Sequence, residues 1–178
     1  MSGLLWLSGT IVGAAALGAL LVTVGKRYRR FRGTRLVTCP ETHTTAAVEV
    51  DAWRAALTGT ELRLEDCSRW PERETCGQEC LRQIEVAPED CLVRTILTKW
   101  YRDRPCALCS IAFGTIEAWG HRTALLSPEG KTMEWSEVQS EKLPEVLATH
   151  RAVCWNCHVA EAFRRQHPEL VIERPRSQ

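Results

Sequence analysis

Cys106-Ala107-Leu108-Cys109 and Cys154-Trp155-Asn156-Cys157-His158 are the two stretches on which the reading of this chain turns. A Cys-x-x-Cys turn aims two thiolates at one point, and two such turns in a small domain supply the four soft ligands of a tetrahedral metal ion. The second turn, read together with His158, also spells the attachment string of a c-type haem. A redox dithiol at Cys106 and Cys109, just after Pro105, is a third chemistry, but the βαβ context that would carry it is missing from the pattern. Burial of the cysteines as small hydrophobes is the bland alternative. Two regularly spaced pairs argue against it. The compartment then separates metal from haem.

The N-terminus speaks to compartment. Residues 1–25 carry no charged side chain, and Leu4 to Val24 is a continuous run of apolar and small residues. A helix of about 20 such residues spans a bilayer core. No basic segment precedes the run and no small-x-small cleavage site closes it, so residues 1–25 are expected to be an uncleaved transmembrane anchor. Lys26, Arg27, Arg29, Arg30, Arg32 and Arg35 follow directly. This basic juxtamembrane segment, residues 26–35, places the C-terminal side in the cytoplasm and the N-terminus outside, in a single-pass membrane protein. From Lys26 to Arg35 it suits anionic lipid, with Tyr28 and Phe31 at headgroup level. Gly9, Gly13 and Ala16 form a small-residue stripe that would let two such helices pack, or is incidental in a helix rich in Gly and Ala.

Setting aside the six basic residues leaves 17 Lys+Arg against 22 Asp+Glu, a net charge of −5 for residues 36–178. An acidic body argues against nucleic acid as a partner. Nine cysteines are many for 178 residues. In a reducing cytoplasm that density points to metal or redox chemistry rather than disulfides.

Hydrophobic patterning predicts an α+β fold in two modules, residues 36–104 and 105–178. Leu36–Pro40, ending in a turn, Val48–Asp51 and Glu61–Glu65 read as strands of a small β-meander, with Leu62 and Leu64 facing inward and a turn at Thr58-Gly59-Thr60. A helix is predicted from Arg73 to Ile84, putting Cys76 and Cys80 on one face. Another is predicted to begin at Pro88-Glu89-Asp90, with Leu92, Val93, Ile96, Leu97 and Trp100 as its apolar stripe. In the second module Ser127-Pro128-Glu129-Gly130 marks the turn of a hairpin spanning roughly 115–135. Short helices follow at Leu143–His150 and from about Cys157 to His167.

The order knuckle, hairpin, then knuckle at the start of a helix resembles treble-clef and zinc-ribbon domains. The resemblance covers roughly residues 104–167 and rests on the four cysteines. It implies a Zn2+ ion held by Cys106, Cys109, Cys154 and Cys157. This chain departs from the pattern in the 44 residues between its knuckles and in Ser110, where such knuckles often carry glycine. The haem alternative would use Cys154 and Cys157 as thioether links and His158 as axial ligand, with Met133, His121, His150 or His167 as the sixth ligand. It requires the opposite membrane topology and leaves Cys106 and Cys109 unexplained.

Five cysteines remain. Cys39, Cys67, Cys76 and Cys80 are candidates for a second metal site, which would bring the zinc count to two, and Cys91 is expected to pack in the next helix. An iron–sulfur cluster would use the same thiolates, but no ferredoxin spacing occurs. The bland alternative is a set of unligated buried thiols. Trp53, Trp70, Trp100, Trp119, Trp135 and Trp155 are core residues or aromatic anchors for a partner. The sequence contains no glycine-rich phosphate loop, no HExxH and no nucleophile elbow. Four thiolates close the shell of a zinc ion, and a closed shell is structural. The expectation is a non-enzymatic, membrane-anchored zinc protein that binds or scaffolds a protein partner in the membrane, as an accessory subunit would. A membrane-tethered monohaem cytochrome is the rival.

Overall fold

The structure is a computed structural model. It describes residues 2–59, 61–70, 75–102, 104–113 and 123–170, with the side chains of residues 2–12 left undescribed. The chain divides into two compact units, Met1–Val93 and Arg94–Gln178. Both are mixtures of helix and small antiparallel sheet.

The first unit opens with one helix, α1 (Ser2–Phe31). Among the described residues no helix is long and apolar enough to cross a membrane. The first part of the expected span, residues 4–12, falls outside the described side chains. Gly33, at φ +106°, turns the chain out of the helix. Arg35 then folds back and is fully buried. Its guanidinium donates to the carbonyls of Phe31 at 2.5 Å, Gly33 at 2.8 Å and Arg30 at 2.6 Å. A helix end leaves such carbonyls unpaired and carries partial negative charge, so a buried cation is stable there. The expectation that Arg35 faces lipid headgroups with the other basic residues is therefore corrected.

Strands β1 (Arg35–Thr38), β2 (Thr45–Val50) and β3 (Leu64–Cys67) form a three-stranded antiparallel meander in that order. Val37 pairs with Ala46 and Val48 with Cys67. Val37, Ala46, Val48, Val50 and Leu64 are buried in one cluster with Cys67, Cys80 and Ile84. The predicted turn before the last strand is instead the end of a helix, α2 (Ala52–Thr58). Asp51 caps it by accepting from Arg54 N at 2.8 Å. Gly59 ends it at φ +77°, and Arg27 Nη1 lies 2.7 Å from where a Cβ would sit. The left-handed backbone angle calls for glycine, while the Arg27 guanidinium, at the end of a flexible side chain, could move aside.

The helix predicted over 73–84 is much shorter: α3 covers Leu81–Val86, while residues 71–74 lie outside the described residues. Gln78 at φ +57° breaks the right-handed path, so Cys76 and Cys80 do not share a helical face. Its side chain compensates by accepting Leu64 N at 3.0 Å. The next helix, α4 (Val93–Arg102), starts later than predicted. Leu36 N donates to Cys91 O at 2.8 Å, and Val93 N to Thr34 O at 3.1 Å, so residues 91–93 are held along the edge of β1 before the helix begins. Cys91 thus lies in the turn before α4, where its thiol donates to Ala87 O at 3.4 Å.

In the second unit β4 (Thr123–Leu126) lies between β5 (Thr132–Glu134) and β6 (Arg151–Cys154). The β4–β5 turn closes with Gly130 N donating to Ser127 O at 3.0 Å. The start of the expected hairpin, with Trp119 and His121, lies outside the described residues. Helix α5 (Leu143–Thr149) carries Pro144 in its first turn and leads into β6. Helix α6 (Trp155–Gln166) follows β6 without a break. Tyr101, on α4, is buried beneath the sheet; its hydroxyl donates to Ala124 O at 2.7 Å and accepts from Trp135 Nε1 at 3.1 Å.

Candidate metal centre

The sheet of the second unit brings its two knuckles together. Pro105 and Ala112 form a short antiparallel bridge, and between them the chain turns through Cys106–Ser110. Cys106 N donates to Ile111 O at 2.9 Å and Ser110 N to Cys106 O at 2.8 Å. Ser110 sits at φ +61°, the left-handed position for which glycine is the easier residue. Ala107 N donates to Ala152 O at 2.8 Å, which fastens this turn to β6. Cys154 ends β6 and Cys157 lies in the first turn of α6.

The four sulfurs of Cys106, Cys109, Cys154 and Cys157 all lie within 4.8 Å of one another. Cys109 Sγ and Cys154 Sγ are 3.8 Å apart. A tetrahedral zinc with bonds of about 2.3 Å separates its sulfurs by about 3.8 Å. The residues therefore fit a metal ion such as Zn2+. Cys106 is buried, Cys109 exposed, and the other two half-buried, so the cluster sits at the rim of the small core formed by Ala124, Leu126 and Val153.

Backbone geometry prepares the site for negative charge. Burial raises the Cys106 thiol, but N–H groups of Cys154, Cys109 and Leu108 aimed at its sulfur outweigh that effect and hold it down at about 6. The Cys154 N–H contact is 3.3 Å. Burial and then its neighbouring thiols push Cys157 strongly up. Burial likewise raises Cys154. Cys106 thus forms a thiolate readily, while Cys154 and Cys157 resist, first because they are buried and then because like charges at this separation disfavour each other. A dication held by the four sulfurs would reverse that balance by favouring the deprotonated thiolates.

His158 does not join the sulfurs. It is buried on α6, lies tilted at 42° against Trp155 with ring centroids 5.1 Å apart, and turns Nε2 toward Glu134 Oε1 at 3.8 Å. Arg165, further along α6, donates to Thr132 O at 3.2 Å and fixes the helix to β5.

The second candidate group occupies the first unit. Cys39, Cys67, Cys76 and Cys80 all line one cavity of about 120 Å³, beside Trp70. Among the described residues, only the C-terminal four close to within 4.8 Å of one another, so these four surround their cavity more widely. Burial raises Cys67, and raises Cys80 to about 11. Cys39 is held below the ordinary thiol value, chiefly by a hydrogen bond from the Thr42 side chain.

Comparison with protein-family models, curated proteins and solved structures gives no match for this chain.

Proposed function

We propose that this chain is a membrane-anchored zinc protein whose second unit is a treble-clef-like module serving interaction or scaffolding, as an accessory subunit of a membrane complex. The observation that carries the reading is the convergence of Cys106, Cys109, Cys154 and Cys157 within 4.8 Å. The knuckle at Cys106, the β4–β5 hairpin, and the knuckle opening α6 follow the treble-clef order, with α5 as an insertion. Four thiolates leave zinc no open position for a substrate, which favours a structural ion over a catalytic one.

The anchor is supported by the uncharged run from Leu4 to Val24. Within its described part, Leu17, Leu20, Leu21 and Val22 are all exposed. A helix apolar on every side needs an apolar surrounding. Where that run gives way to the basic residues, α2 packs beside α1, with Tyr28 and Trp53 rings 4.5 Å apart. Trp53 and Leu57 remain exposed there. Amphipathic rings next to arginines suit the headgroup layer. The cytoplasmic orientation follows from the same charges.

The test is elemental mass spectrometry of the full-length chain purified from membranes. Zinc without iron supports the reading. Iron with a covalently attached chromophore would establish the cytochrome alternative through Cys154, Cys157 and His158. Thiol accessibility in intact cells reads the topology, and co-purification from native membranes tests the partner; a chain that always emerges alone counts against scaffolding.

A further inference from the structure

The turn after β1 has the same backbone as the knuckle at Cys106. Cys39 N donates to Thr44 O at 2.9 Å, as Cys106 N does to Ile111 O at 2.9 Å. His43 N donates to Cys39 O at 2.8 Å, as Ser110 N does to Cys106 O at 2.8 Å. His43 takes φ +54° where Ser110 takes +61°. Cys39 Sγ receives the N–H groups of Glu41 and Thr42, two and three residues on; Cys106 Sγ receives those of Leu108 and Cys109 at the same offsets. Position for position, Thr42 stands where the C-terminal knuckle has Cys109. A turn that aims two N–H groups at a sulfur stabilises a thiolate.

The other three cysteines are delivered to the same cavity by separate restraints. Cys67 ends β3 and receives the Arg69 N–H. Cys76 Sγ accepts Gln78 N at 3.4 Å. Cys80 leads into α3, and α3 is fastened to β1 through Gln83, whose amide accepts Thr38 N at 3.0 Å and donates to Thr38 O at 2.7 Å. Thr38 is the residue before Cys39, so this pair sets the spacing of Cys39 and Cys80. The strained Gln78 is spent on the same end, since it holds the Cys76–Cys80 loop against β3.

We propose that Cys39, Cys67, Cys76 and Cys80 form a second tetrathiolate centre for Zn2+, in which the turn at Cys39 is a one-cysteine counterpart of the knuckle at Cys106. The likeness rests on the metal reading of the C-terminal turn; the cavity lined by four thiols does not. On binding, the four sulfurs move inward to the cavity centre and give four metal–sulfur bonds. Thiol protons pass to solvent, and no electron is transferred.

The test compares the detergent-purified full chain with two double variants, C39S/C76S and C109S/C157S. The expected result is about two zinc per chain, with about one lost in each variant. Zinc lost in C109S/C157S but unchanged in C39S/C76S overturns the second centre alone. Zinc lost only in C39S/C76S supports the second centre and removes the first. Iron with acid-labile sulfide at this site overturns zinc in favour of a cluster. Should a variant fail to fold, the wild-type chain decides by maleimide labelling mapped to peptides. Labelling of Cys39 and Cys76 that rises sharply after chelation supports the centre, and equal labelling before and after overturns it.

Discussion

Ser110 shows how a residue can be right for the site and costly for the backbone. Its φ of +61° is needed to close the Cys106 turn. A side chain there costs about 1 kcal/mol relative to glycine. Ser110→Gly is expected to raise chain stability by roughly that amount. Urea denaturation should show a higher midpoint with an unchanged slope, and zinc content should not change. At the same site, hydrogen bonds hold Cys106 at about 6 against the opposing effect of burial. A thiol held below its unfolded value adds stability above that value and loses it as pH falls through about 6. These four cysteines were legible in the sequence because a Cys-x-x-Cys turn is a local object. The knuckle at Cys39 was not, since Thr42 in place of a second cysteine leaves only Cys39-Pro40 to mark it.

Elements were legible where their own residues determine them. The strand around Val48 follows from alternation, the one around Val37 from its short apolar run, and α6 from its knuckle start and Pro168 end; the strand expected at Glu61–Glu65 instead begins at Leu64 and runs to Cys67, because pairing with β2 rather than local alternation places it. The misses were short elements created by pairing elsewhere in the chain. Strand β6 exists because Ala152 and Val153 pair with Leu125 and Ala124, which no local period announces. Helix α2 has seven residues, too few for a periodic signal; Asp51 and Gly59 were its available markers. Helix α3 was overdrawn because Cys76, Cys80 and Ile84 do recur at helical spacing, while the left-handed Gln78 that breaks the path leaves no trace in composition. Two elements are pinned by single buried groups. Tyr101→Phe removes the donor to Ala124 O and the acceptor for Trp135, and should cost about 1–3 kcal/mol in chemical denaturation. Arg35→Met strips three carbonyls at the end of α1 of their donor and should cost about 3 kcal/mol or more, with the loss confined to the first unit in hydrogen exchange.

At the scale of the molecule, two small units each carry a modest apolar core, with a cavity lined by four cysteines in the first and a cluster of four sulfurs in the second. Cores of this size rarely hold a fold alone, and a metal commonly supplies the difference. A fragment of residues 94–178 is expected to be largely unfolded in chelator and to gain native dispersion in its amide spectrum on adding zinc. A fragment equally folded in both conditions would show that the metal is dispensable to this unit. The junction of α1 with β1 has a mechanical consequence. Only three residues separate the helix from the strand, and Arg35 locks that short corner from inside. The first unit is therefore mounted as a bracket on its helix rather than flown on a tether. Whatever surroundings set the tilt of that helix also set the heading of the sheet, and the reach of this unit toward a neighbour is limited to the length of its own body.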